Sequence, residues 1–356
     1  MLYLILLLSV LLRVLASIYL GNTVVALPGT FDQVSYHALA LRLLGGHGFS
    51  FGEAWWPMTA ANEPTAHWSF LYTFYLTAVY RALGTNPLAA RLIQAIAVGV
   101  LQPLLAFHLA RQLFRKDGSP SRLSEWVPLA AAGITAVYIY FIYYSAALMT
   151  EPFFIIGLMG ALLLTIRLEH AEAGSRTWKT ALALGITLGL TVLLRQLILL
   201  IVPFLFLWIL ASNLKRRSLR PAVAAVFIST AILIVSIVPF TLYNYARFDR
   251  FVLLNTNAGY VVYWANHPVY GDRFLDANEM GDNYQELVPD ELRGLDEAAL
   301  DSELLKLGLG FIGDDPVRFI KLSLSRVPIY FKFWPESESG NLSNLSRVGS
   351  FGLFLP

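Results

Sequence analysis

The sequence predicts an all-α integral membrane protein: a bundle of about seven spans, with interfacial helices in its first exterior loop and a small exterior segment at its C-terminal end. Two observations carry that class. Of the 356 residues, 56% are apolar and only 14% charged, against about a quarter charged in soluble domains, and mean hydropathy is +0.59. The apolar residues also fall in long uncharged runs bounded by cations, as a bilayer demands of helices that need about 20 residues to cross its hydrocarbon. Net charge is only +2, so no basic field speaks for nucleic acid, and the cation clusters are short and local. Cysteine is absent, which removes disulfides and thiolate metal sites.

The first span is read at 1–20. MLYLILLLSVLLRVLASIYL has no basic stretch ahead of its apolar run and holds Arg13 inside it, so a retained anchor describes it better than a signal peptide. Residues 21–87 form the first loop. Within it Val34, Ala38, Leu41 and Leu44 recur at helical spacing and Gly45, Gly46 and Gly48 follow, which predicts an amphipathic interfacial helix starting at Asp32. TAHWSFLYTFYLTAVYRALG is aromatic-rich and only moderately long, and reads as interfacial or re-entrant. Counted as a full span, it would invert every later loop.

Further spans are read at about 88–110, 126–147, 152–167, 180–194, 197–212 and 221–243. The fifth and sixth spans are short and flank Arg195, which predicts tilted or broken helices packed within the bundle. Cations set the orientation. Arg111, Arg115, Lys116 and Arg122 follow the second span, Arg167, Arg176 and Lys179 the fourth, and Lys215, Arg216, Arg217 and Arg220 the sixth. The alternate loops are poor in cations, with Arg42 alone between residues 21 and 80. By the positive-inside rule the cationic loops are cytoplasmic. The loop holding Asp32, the turn holding Glu151, Arg195 and everything after residue 243 then share the exterior face of a multi-pass protein of the cell membrane.

The expected division is a transmembrane core at 1–243 and an exterior segment at 244–356. Residues 244–315 hold most of the acidic residues and turn-rich runs such as NTNAGY and ANHPVYGD. LDEAALDSELLKLGLGFI reads as a helix with Asp296 as a possible cap. PVRFIKLSLSRVPIYFKFW spaces Arg318, Lys321 and Arg326 along one side of an apolar helix, an arrangement suited to the headgroup layer. No internal repeat or low-complexity tract is evident.

Four stretches resemble the GT-C glycosyltransferases, the multi-span class of the protein O-mannosyltransferases and the lipid A aminoarabinose transferase (glycosyltransferase family 39 type). DQVSYHALALRLLGGHGFS resembles the first-loop motif, an Asp followed by a Tyr and a helix running into a Gly-rich turn. PTAHWSFLYTFYLTAVYRALGTNPLAARLIQAI resembles the next helix pair, with Ser69-Phe70 in place of the usual Pro-Pro. ALMTEPFF resembles the second acidic motif, and VPFTLYNYARFDRFVLLNTNAGYVVYWANHP the opening of the exterior domain, with Tyr243 where an Arg is common. Two further departures are Gln33, where a second acid often follows the Asp, and the absence of the spans that the family usually adds after a point like Trp334; a fragment or a short variant is therefore expected.

The resemblance implies a GT-C-type fold and inverting transfer of a sugar from a polyprenyl-phosphate donor to a protein, lipid or glycan on the exterior face, with membrane lipids around it and no organic cofactor. Such transfer needs a base for the acceptor proton and positive charge for the leaving phosphate. By position the base or acceptor-positioning role falls on Asp32, and the second carboxylate is Glu151. The two could also hold a divalent metal against the phosphate. Arg195 suits bidentate contact with phosphate. Tyr36 of the first motif, Glu63, His67, Asn244 and Asn266 are further candidates for substrate contact.

Plainer readings stand beside these. Asp32 can merely cap its helix, Glu151 can be a solvated charge at a helix start with Pro152 in the first turn, and Arg195 can snorkel to a headgroup layer. A lone His such as His67 at a membrane interface is more often structural, and turn formation accounts equally well for Asn244, Asn266 and His267. Trp55, Trp56 and Trp68 fit an aromatic belt as well as a sugar-stacking wall, and the sequons at Asn341 and Asn344 read as chance. The alternative function is a transporter or flippase of a lipid-linked or small polar substrate. A transporter would place ionisable groups at mid-membrane in repeated halves, whereas here the acids gather at one face.

Overall fold

The computed structural model describes residues 1–27, 31–114, 122–170, 174–216, 218–273, 285–330 and 340–354. Arg115, Lys116, Arg217 and Trp334, used in the sequence reading, lie outside the described residues. Among those described, the chain is helical and has no strand; the isolated bridges Ser50–Pro64 and Trp55–Thr59 lie between helices. It divides into two compact units, Met1–Gly48 with Trp68–Asn244, and Phe49–His67 with Tyr245–Pro356.

The first unit carries α1 (Leu2–Leu20), α2 (Asp32–Leu44), α3 (Phe70–Leu83), α4 (Pro87–Leu113), α5 (Arg122–Val137), α6 (Ile139–Ala146), α7 (Glu151–Arg167), α8 (Ser175–Leu194), α9 (Val202–Lys215) and most of α10 (Leu219–Phe248). Helices cover all seven apolar runs. Five stretches, Leu2–Leu20, Pro87–Leu113, Arg176–Leu194, Gln196–Lys215 and Leu219–Phe248, are long and apolar enough to cross a membrane. α5 and α6 are also apolar enough when taken together, but bend by 51° where Tyr138 adopts an extended conformation. α7, at 17 residues, falls slightly short of the usual span. α3 has 14 residues, about 21 Å of helix against about 30 Å of hydrocarbon.

The helix break expected around Arg195 is present. α8 ends at Leu194, Arg195 is extended at φ −149°, and a 3-10 turn over Gln196–Leu200 leads into α9. Pro203 in the first turn of α9 explains the restart, since it lacks an N–H and its ring blocks continuation of the preceding turn.

Close approach between helices occurs at small residues, as expected where lipid removes the hydrophobic drive for association. A Cβ on Gly99 of α4 would lie 2.9 Å from the Val10 Cα of α1, and one on Gly185 of α8 would lie 2.8 Å from the Ile232 Cβ of α10. The buried Arg13 Nη groups meet neutral acceptors. Arg13, fully buried, donates to the Ser9 hydroxyl (2.6 Å), the Ala136 carbonyl (3.0 Å), the Gln102 side-chain oxygen (3.1 Å) and the Thr135 carbonyl (3.1 Å), fastening α1 to α4 and α5.

α2 forms where the helical spacing predicts it, and the residues that fix it to the unit lie off its apolar stripe. Gln33, Ser35, Tyr36, Leu39 and Ala40 are inward, whereas Leu41 is exposed and Val34, Ala38 and Leu44 are half-exposed. The apolar stripe therefore faces away from the unit, and hydrogen bonds and aromatic packing hold the inner face. Asp32 is the first helical residue and not the cap; that position is Phe31, without a side-chain cap bond.

The second unit contains α11 (Ala258–Asn266), α12 (Glu297–Asp314), α13 (Pro316–Tyr330) and α14 (Asn341–Phe354), and α11 and α12 supply most of its core of Tyr260, Tyr263, Trp264, Val288, Leu300 and Leu304. Asp296 caps α12 as expected, accepting from the Ala299 N–H at 2.8 Å. Buried Glu297 explains why residues 49–67, read as part of the first loop, belong to this unit. Its carboxylate accepts from the Thr59 hydroxyl (2.6 Å), the Ala66 N–H (2.8 Å) and the Thr256 hydroxyl. The cations of α13 do not form a free headgroup-facing row. Arg318 donates to the Asn266 and His267 carbonyls (2.7 and 3.3 Å), Arg326 to the Ala265 carbonyl, and Lys321 pairs with Asp272 at 2.7 Å. The Ala265 and Asn266 carbonyls belong to the last turn of α11, where carbonyls have no partner further along the helix. The exposed face of α13 is instead apolar, with Val317, Ile320, Leu324 and Val327.

Candidate active site

Three segments of the first unit meet at one guanidinium. Arg195, in the break after α8, bonds through Nη2 to Glu151 Oε1 and lies 3.7 Å through the same nitrogen from Asp32 Oδ2, while its Nε donates to the Thr150 hydroxyl at 2.8 Å. Extended backbone at Arg195 sends its side chain sideways out of the helix line, and the α7 start supplies Glu151 beside Thr150. The three charged side chains are 38%, 28% and 29% exposed for Arg195, Glu151 and Asp32, so a polar ligand can reach them. Arg195 is thus an ion-paired residue and not a snorkelling one, and Glu151 is partnered and not merely solvated.

A buried hydrogen-bond layer beneath the cluster fixes its two acidic segments. Arg91 of α4, fully buried, donates to the Ala146 carbonyl (3.0 Å), the Gly21 and Thr23 carbonyls (both 3.2 Å) and Gln33 Oε1 (2.9 Å). Gln33 also accepts from the Leu148 N–H (3.5 Å) and donates to the Val25 carbonyl. Gln94, one turn on, donates to the Ser145 and Ala147 carbonyls (2.9 and 2.7 Å) and accepts from the Tyr72 hydroxyl (2.8 Å). One layer therefore grips both the residue after Asp32 and the turn before Glu151. Ser69 does the same for Arg195: its hydroxyl caps α3 by accepting from the Tyr72 N–H (3.2 Å) and donates to the Leu193 carbonyl at the end of α8 (2.8 Å). Arg91 and Gln94 were missed in the sequence. Two polar residues at i and i+3 inside an apolar span were the signal.

Tyr36 is buried, with its ring edge-on to Trp68 and Tyr72 and its hydroxyl accepting from the Ser69 N–H at 3.4 Å. Burial, and next the Asp32 charge, push its phenol pKa upward, so it stays protonated. His37 bonds the Tyr80 hydroxyl through Nδ1 at 2.8 Å; burial and then Arg91 lower its pKa and keep it neutral. Asn244 is fully buried in α10. The other candidates belong to the second unit. Glu63 is exposed, His67 bonds the Thr256 carbonyl (2.9 Å), and Asn266 back-bonds the Val262 carbonyl (2.8 Å). Trp55 stacks on Phe51, and Trp56 stacks on Trp264.

An apolar cavity of about 400 Å³ adjoins the cluster, lined among others by Tyr72 and Tyr75 of α3, Phe153 and Ile156 of α7, and Leu190 and Leu194 of α8. Leu194 directly precedes Arg195, and Phe153 follows Glu151 by two residues. The cluster does not fit a divalent metal held by protein alone. Its two carboxylates converge on a guanidinium, whose charge would oppose a cation between them. Among the described residues no group of three or more His, Asp or Glu is placed to hold one.

A family model described as dolichyl-phosphate-mannose-protein mannosyltransferase matches residues 4–255. No curated protein and no solved structure gives a significant match.

Proposed function

Since the chain belongs to the dolichyl-phosphate-mannose-protein mannosyltransferase family, membrane glycosyltransferases that draw on polyprenyl-phosphate sugars, we propose that it transfers a hexose or pentose from such a donor at the Asp32–Glu151–Arg195 cluster. The observation that carries the assignment is the single guanidinium shared by two acids from separate segments. The acceptor hydroxyl oxygen attacks the anomeric carbon from the face opposite the phosphate, forming the new glycosidic bond as the carbon–oxygen bond to phosphate breaks. The polyprenyl phosphate leaves with that electron pair, and the hydroxyl proton passes to Asp32.

Arg195 takes the phosphate oxygens, a role suited to its planar fork. Glu151 and Thr150 orient the guanidinium, and its looser contact at 3.7 Å leaves Asp32 available as base. The adjoining apolar cavity seats the first prenyl units. Arg195 supplies positive charge opposite the leaving phosphate. Cation-poor loops on the Asp32 side support an exterior location, and the family description makes mannose and a protein hydroxyl the first pair to test.

The test is incubation of membranes containing the protein with labelled polyprenyl-phosphate sugars and candidate acceptors. Labelled product from at least one donor is expected. Absence of transfer from every polyprenyl-phosphate sugar, with folded protein present, overturns the reading.

A further inference from the structure

At the ends of α8 and α10 remote from Arg195 lies a second cavity, of about 460 Å³. α8 contributes Thr177 and Trp178, and α10 contributes Arg220, Pro221, Ala224 and Ile228. Trp178 and Arg195 are 17 positions apart along α8, about 25 Å at 1.5 Å per residue, so this cavity is separate from the cluster described above.

Its chemistry is divided along its length. Arg220, Ala224 and Ile228 follow one another at i, i+4 and i+8, so they share one face of α10. The cavity therefore runs from an exposed guanidinium over a small residue to an apolar one, about 12 Å along the helix. Trp178 is 48% exposed, with Lys179 Nζ 5.9 Å from its ring centroid. Arg176, Lys215 and Arg216 are close in sequence to these helix starts. Among the described residues, none of these five cations forms an ion pair with a carboxylate. Cations without a carboxylate partner among the described residues, gathered at one end of two apolar helices beside an amphipathic indole, form an arrangement that an anionic headgroup satisfies.

We propose that this cavity binds an anionic phospholipid, its phosphate on Arg220 near Lys179, its glycerol region against Trp178, and an acyl chain along Ala224 and Ile228. A free phosphate would leave the apolar length unfilled, whereas a zwitterionic lipid would bring its own cation to a site already rich in them.

The full chain in zwitterionic nanodiscs, with and without phosphatidylglycerol, gives the test by thermal unfolding. The anionic lipid raises the wild-type midpoint by about 2–4 °C. Arg220→Gln loses most of that rise. Ala224→Leu, which fills the trough but keeps every charge, loses it as well, while Arg81→Gln, at an exposed cation on α3, keeps it. Inorganic phosphate at matched concentration gives no rise. Brominated phosphatidylglycerol quenches a fluorescence component that Trp178→Phe removes. A wild type indifferent to phosphatidylglycerol, a full rise in Arg220→Gln, an equal loss in Arg81→Gln, or a rise reproduced by inorganic phosphate overturns the proposal.

Discussion

Replacing Asp32 by Asn separates chemistry from folding. A positioned general base contributes about 10²–10⁴ in rate, or about 2.7–5.4 kcal/mol of barrier, and Asn cannot take the acceptor proton. The structural cost is smaller. The Asp32–Arg195 contact is 3.7 Å long between side chains 29% and 38% exposed, and solvent-screened pairs of this kind contribute about 0–1 kcal/mol. Asp32 also sits in the first turn of α2, where its charge contributes about 0.3–1 kcal/mol against the helix dipole. The variant therefore folds. Removing one carboxylate from Arg195 also leaves the guanidinium freer for phosphate, so donor KM stays level or falls while kcat drops about 10²–10⁴-fold. Labelled-donor turnover in proteoliposomes reads both constants, and a thermal melt of the same sample reads the fold. A folded Asp32→Asn protein turning over at the wild-type rate refutes the base assignment.

Glu151→Gln loosens the charge-assisted bond that aims Arg195, worth about 1.5–3 kcal/mol, and is expected to reduce kcat/KM by about 10–150-fold; wild-type kinetics would return Glu151 to a helix-end charge. Ser69→Ala frees the α3 cap and the Leu193 carbonyl, so it should cost about 0.5–2 kcal/mol in a melt and reduce transfer, whereas Ser69→Thr restores both; equal activity in all three proteins shows that Ser69 does not position Arg195. In the second unit, burial pushes the Asp301 carboxyl up to about 6, although the Gly259 and Tyr260 amides donate to it. Below the unfolded value near 3.9 both states hold the proton. As pH rises from about 4 to about 6 the unfolded chain loses it first, so stability falls across that window and levels above it. Asp301→Asn should flatten this component of the pH-dependent hydrogen exchange, and an unchanged slope would reject the assignment.

Much of this organisation was legible because the bilayer writes it in long stretches: apolar runs located α1, α4, α7, α8, α9, α10 and the bent α5–α6 pair, and Arg195 between two such runs marked a break before any geometry was known. Asp32 and Glu151 were found by motif and by lying in cation-poor turns. What escaped the sequence depends on pairing in space. The four-way anchorage of Arg91 joins residues 21, 23, 33 and 146, and its acceptors are mostly backbone carbonyls, which every sequence has. The inner face of α2 was not legible, because Tyr36 and Gln33 pack inward through aromatic and amide contacts that an apolar-periodicity count does not score. Arg318 and Arg326 looked like headgroup ligands for the same reason: their partners are the carbonyls at the end of α11. Membership of residues 49–67 in the second unit turned on Glu297, more than 200 positions away.

The central claim is that Arg195, held between two acids, receives the donor phosphate. Its most direct test is the Kd of a sugar-free polyprenyl phosphate for the wild type and for Arg195→Gln, measured in the same nanodiscs. Loss of charge-assisted bonds to phosphate predicts binding about 10–150-fold weaker in the variant. Equal affinity in two folded proteins would contradict the account.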